Sequence, residues 1–70
     1  MKIKTAKEIV NEYADYELME DYSGRGMFGK TTTAIVVPSR DDVGYLKKKL
    51  ENEKDIELSS DNYAMDYLVY

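Results

Sequence analysis

Apolar positions along the 70-residue chain keep a helical rhythm in two places and a strand-like rhythm elsewhere. Ala6, Ile9, Val10 and Tyr13 recur at helical spacing behind Thr5, whose hydroxyl suits an N-cap, and Glu8 three residues later completes a capping box. A short amphipathic helix is therefore predicted to start at Thr5. Tyr16 to Tyr22 is rich in aromatic and long apolar side chains, and Thr31 to Val37 is a β-branched run, so a glycine-bearing segment falls between two strands. Beyond Pro38, Ser39 and Asp42 repeat the capping logic, and Val43, Leu46 and Leu50 form the apolar stripe of a second helix ending near Asn52. Gly44 weakens that helix by about 1 kcal/mol relative to Ala. The remainder predicts a strand over Ile56 to Ser59, a polar turn over Ser60 to Asn62, and a strand over Tyr63 to Val69. In that last strand Tyr63, Met65, Tyr67 and Val69 alternate onto one face.

This order, α-β-β-α-β-β, predicts a small α+β domain: an antiparallel sheet of about four strands with two helices on one face. Residues 1 to 70 form a single domain, without repeat, linker or low-complexity segment. A chain this short buries only about 60% of the surface its unfolded form exposes, which leaves little room for a large catalytic cleft.

Composition narrows the chemistry. With no Cys there are no disulfides or thiolate ligands, and with no His the usual zinc ligand, proton shuttle and triad base are missing. The expectation is a protein that is not an enzyme and uses no metal or cofactor. The opening MKIKTAKEIV has lysines but no apolar run behind them, so neither a secretory signal nor a membrane span is predicted, and the expected location is the cytoplasm.

A net charge of -4 argues against direct nucleic-acid binding, which depends on Lys and Arg displacing counterions from phosphates. The acid is concentrated in two stretches that flank a more basic middle. Glu8, Glu12, Asp15, Glu17, Glu20 and Asp21 occur with no base among them, and from Glu51 onward Lys54 alone faces Glu51, Glu53, Asp55, Glu57, Asp61 and Asp66. One reading is an ordinary solvated surface. The sharper one is an acidic face that competes with nucleic acid for a basic groove.

Gly24 to Thr31, GRGMFGKT, satisfies both G-x-x-x-x-G-K-[ST] and G-x-G-x-x-G. Both patterns grip phosphate through a helix N-terminus that opens directly after the glycines, and here a β-branched run occupies that place. The match is read as coincidental. A kinase-type glycine-rich hairpin has a more compatible topology, but Thr31 stands where that pattern calls for Val, and the chain is too small for a kinase.

Read without a motif, Gly24, Gly26 and Gly29 permit positive φ, Arg25 and Lys30 supply charge, and Met27 and Phe28 sit at the tip. An apolar tip either folds back on its own sheet or enters a partner. In the second case Phe28 and Met27 anchor in a pocket and Arg25 or Lys30 pairs at its rim. Tyr outnumbers every other aromatic, seven against one Phe and no Trp. Tyr13 and Tyr67 look internal, whereas Tyr22, Tyr45 and Tyr70 are candidates for a surface patch. Lys47, Lys48 and Lys49 are spread around a helix and read as its solvated end.

The segment Asp21 to Lys30, DYSGRGMFGK, resembles short phage and prophage proteins of Gram-positive bacteria that carry a D-Y-S-G-R-G-M-[FY]-G-K segment. The resemblance covers the central part of the chain and implies a small mobile-element protein acting inside a bacterium by binding host machinery. The resulting expectation is an anti-CRISPR-like or other anti-defence inhibitor that blocks a host nucleic-acid-handling or defence protein. Its partner-binding residues are Tyr22, Ser23, Arg25, Met27, Phe28 and Lys30, with no catalytic and no metal-binding residues. Two alternatives stand beside it: a nucleotide-sequestering protein using the same loop, and a domain that self-associates through an edge strand, for instance as a homodimer.

Overall fold

The computed structural model describes residues 1 to 24 and 28 to 70, with Lys54 described for its backbone only. The chain forms α1 (Ile3–Glu12), β1 (Glu17–Tyr22), β2 (Thr32–Val37), α2 (Arg40–Lys54), β3 (Ser60–Tyr63) and β4 (Asp66–Val69). All strand pairs are antiparallel, and the sheet runs β1-β2-β4-β3, so β1 and β3 are its edges. Both helices lie on one face, α1 over β1 and β2 and α2 over β4 and β2. This is the α+β arrangement that the alternation of helical and strand periods predicts.

The core forms between the helices and the sheet. Ala6 and Ile9 from α1, Val43, Leu46 and Leu50 from α2, and Ile35, Val37 and Val69 from the strands make one buried cluster, joined by Tyr16 and Leu58. Burying side chains of Leu, Ile or Val size is worth about 1.5 to 3 kcal/mol each, the main term a domain of this size has to offset its chain entropy.

Local signals set most element ends. Ser39 caps α2 as expected: its Oγ accepts from the Asp42 N–H at 3.3 Å and donates to the Asp42 carboxylate at 2.7 Å. The helix continues past Asn52 to Lys54 and ends on Asp55 in the left-handed region at φ 52°. The start of α1 differs from the capping-box reading. The helix begins at Ile3, with Lys2 as an N-cap that has no side-chain cap bond, and Thr5 lies inside it. The Met1 ammonium donates to Thr32 Oγ1 at 2.7 Å and to the Thr33 carbonyl at 3.0 Å, and with this tie to β2 the N-cap lies at Lys2, ahead of Thr5.

The second hairpin also departs from its prediction. Ser60 to Asn62 is not a turn but most of β3, and the reversal falls on Ala64 and Met65. Ile56 to Ser59 lies outside the strands, although Leu58 is buried and Ser59 exchanges both backbone hydrogen bonds with Tyr70 at 2.8 and 2.9 Å. Because Tyr63 pairs with Asp66 and Asn62 with Tyr67, Tyr63 and Tyr67 face opposite sides of the sheet rather than sharing one. The turn escapes a sequence reading because Ala64, at φ 54°, occupies a position that normally selects Gly or Asn.

Candidate functional site

Register sorts the strand residues onto two faces. Leu18, Ile35, Val69 and Ser60 form a row on the helix side, so the neighbouring row of Glu17, Val36, Leu68 and Asp61 lies on the face that carries no helix. Met19, paired with Ala34, and Tyr63, paired with Asp66, lie on that open face as well.

Tyr22 reaches this face through a defect in β1. Tyr22 lies three positions beyond Met19, yet their partners Ala34 and Thr32 are two positions apart, which marks a β-bulge. Asp21 holds φ 58° within it, a conformation that Asp tolerates better than most residues. Regular alternation would have pointed Tyr22 at the helices. The bulge turns it to the open side, where its hydroxyl donates to Asp61 Oδ2 at 2.9 Å and its ring meets Tyr70 edge-on, with 4.9 Å between centroids. Burial, followed by the hydrogen bond to the Asp61 carboxylate, raises the Tyr22 pKa to about 12.

Gly24 completes this clasp. A Cβ at that position would stand 2.8 Å from Tyr70 Oη and 3.1 Å from the Tyr22 ring, so a larger residue would require the Tyr70 ring to shift, and glycine lets the backbone approach the two rings as they stand. The first glycine of the apparent phosphate motif thus has a packing role. The last, Gly29, holds φ 85° in the turn before β2, and a strand rather than a helix follows it.

Of the six residues expected to contact a partner, Tyr22 belongs to the clasp, while Ser23, Phe28 and Lys30 are exposed. Arg25 and Met27 lie outside the described residues. Phe28 is 96% exposed and sits at φ 47°, a left-handed conformation costing a bulky L-residue roughly 1 to 2 kcal/mol. The fold-back alternative for this tip therefore does not apply to Phe28.

The expected tyrosine patch divides between two sides of the molecule. Tyr22 and Tyr70 pair on the open face, whereas Tyr45, on α2, shares a 2.7 Å hydrogen bond with Tyr13 Oη. Tyr13 also lies against Tyr16, with 4.9 Å between ring centroids. Tyr16 is the buried ring of this second cluster and donates to Asp42 Oδ1 at 2.8 Å, and burial with that bond pushes its pKa well above the ordinary value. Lys49 pairs with Glu53 at 3.9 Å beside Tyr45, while Lys48 is exposed.

Sequence reasoning missed the far end of the open face. There Met19, Val36, Tyr63 and Ala64 line an open groove of about 260 Å³ together with Glu17 and Asp66, and with Leu18 from the neighbouring row. Met65, 93% exposed, stands in the adjoining turn. The signal available was β2 itself, since Ala34-Ile35-Val36-Val37 is apolar on both faces and so reads as a strand covered on both sides.

Among the described residues no group of three or more His, Cys, Asp and Glu could hold a metal ion, and no helix is long and apolar enough to cross a membrane. No protein-family model, curated protein or solved structure matches the chain.

Proposed function

We propose that this chain is a non-catalytic binding protein that engages a protein partner through the tip of the loop between β1 and β2, with Phe28 as the anchor. The observation that carries the reading is the state of Phe28, which is almost fully exposed and held in an unfavourable backbone conformation. A large apolar ring gains nothing for the isolated fold in that position, whereas in a partner's pocket it would supply the buried aromatic contact typical of interface hot spots. The clasp of Tyr22, Tyr70 and Gly24 gives the loop a fixed root, which lowers the ordering cost of docking. Lys30, exposed beside Phe28, supplies charge at the rim.

The net charge of -4 favours a basic partner. Together with the resemblance of Asp21 to Lys30 to phage and prophage proteins, it points to a bacterial nucleic-acid-handling or defence protein that is blocked on binding.

Native mass spectrometry on the tagged protein recovered gently from its host tests this, with Phe28→Ala processed in parallel. A host protein that accompanies the parent chain and is lost from the variant supports the reading, because an anchor of this kind typically contributes at least about 2 kcal/mol. An added mass of nucleotide size, retained by Phe28→Ala, would replace it with the phosphate-binding alternative. Identical recovery of the same partner by both chains would overturn it.

A further inference from the structure

Charge is segregated in this fold. The four strands carry Glu17, Glu20, Asp21, Asp61 and Asp66 and no Lys or Arg. Among the described residues, the bases sit on or beside the helices, apart from Lys30 in the β1–β2 loop. The groove at the end of the open face away from the clasp is therefore partly acidic, with Glu17 from β1 and Asp66 from β4 in its lining beside Met19, Val36 and Tyr63.

We propose that this groove docks a basic amphipathic helix of a partner protein. The inference rests on the protein-binding reading above but places the contact at the opposite end of the sheet from Phe28. Charge complementarity selects the occupant: Lys or Arg side chains flanking an apolar stripe would meet Glu17 and Asp66 while the stripe covers Met19, Val36 and Tyr63. A helix fits better than an added strand because the groove crosses strand faces instead of following an edge. Three interstrand spacings span roughly 14 Å, and a helix is about 10 Å across. Such a helix would give the sheet a covering layer on its second side, the arrangement that apolar residues on both faces of β2 favour. Nucleic acid is disfavoured by the same carboxylates.

The test is an NMR titration of the isotope-labelled full chain with a synthetic Leu/Lys peptide patterned for an amphipathic helix, about 14 residues or roughly four turns long. A Leu/Glu peptide of the same pattern is the control. The expected result is shift changes centred on Glu17, Met19, Val36, Tyr63 and Asp66 with the Lys peptide only. Affinity should fall about tenfold in Glu17→Lys/Asp66→Lys, and also in Tyr63→Ser, but stay unchanged in Glu51→Lys/Glu57→Lys. Dispersed amide spectra verify that each variant is folded, and Glu17→Gln/Asp66→Asn replaces the charge reversal if that variant is not. Phe28→Ala should bind the peptide as the parent does, so failure of the loop reading and failure of this one are distinguishable. Absence of binding, shifts centred elsewhere, affinity insensitive to the groove variants, or an extended Leu/Lys peptide binding instead along an edge strand would each overturn the proposal.

Discussion

The two faces of one sheet are finished by different physics. Of the six largest fully buried side chains among the described residues, Ile35, Val37, Leu46, Leu50 and Val69 lie on the helix side, and Leu68 alone lies on the other. The helix side is sealed by aliphatic packing, which is non-directional and tolerates small shifts. The open side is closed at one end by two tyrosines, a carboxylate and a glycine, where geometry decides whether the contacts exist at all. Stability is therefore concentrated on one face, and specific recognition is free to use the other.

The largest effect should come from breaking the sealed side. Leu46→Ala is expected to destabilise the fold by about 3 kcal/mol, within the usual range for a fully buried leucine, and to lower the thermal midpoint seen by far-ultraviolet circular dichroism. A loss under about 1 kcal/mol would mean that the helix face is less tightly packed than its burial implies.

Gly24→Ala sharpens the contrast from the other side. The new methyl would press on Tyr70 and Tyr22, and an overpacked site of this kind costs about 1 to 3 kcal/mol. The near-ultraviolet dichroism of the tyrosine pair should change while far-ultraviolet helicity stays the same. Loss of both signals together would show that the two faces are not separable.

Tyr22→Phe keeps the ring and removes the hydrogen bond to Asp61, an expected loss of about 1 kcal/mol at neutral pH. The raised pKa of Tyr22 adds a signature. Its ordinary value is 10.0 and its folded value about 12, so the unfolded chain gives up this proton first as pH rises. The contribution of Tyr22 is thus complete below pH 10 and declines toward pH 12. Urea unfolding across that window should fall less steeply with pH in Tyr22→Phe than in the parent chain.

The smallest effect belongs to the β3–β4 turn beside the groove. Ala64→Gly relieves a positive φ at an exposed position and is expected to stabilise by about 0.5 kcal/mol, read from the urea midpoint. Destabilisation would indicate that the methyl of Ala64 packs on the groove more than its exposure suggests.

Much of this molecule is determined locally and can be read from the chain. The periods of Ala6 to Tyr13 and of Val43 to Leu50 specify two helices, the Ser39 cap starts the second, and the β-branched run into Val37 specifies β2. These features depend on neighbours a few residues away, the range over which backbone sterics, capping and amphipathic spacing act. The exposed Phe28 was also legible as a candidate anchor, because a lone Phe among glycines has few ways to be covered. Tertiary structure alone decided the rest. It moved the start of α1 to Ile3 through the tie between Met1 and β2, and placed the last turn on Ala64. The bulge at Asp21 turned Tyr22 away from the core and toward Asp61, which lies thirty-nine residues further along the chain. Strand register depends on partners that have no fixed distance in sequence, and a single extra residue reverses which face a side chain serves. For that reason the chain by itself specified the helix side of the sheet, and only the assembled sheet produced the acidic groove on the other.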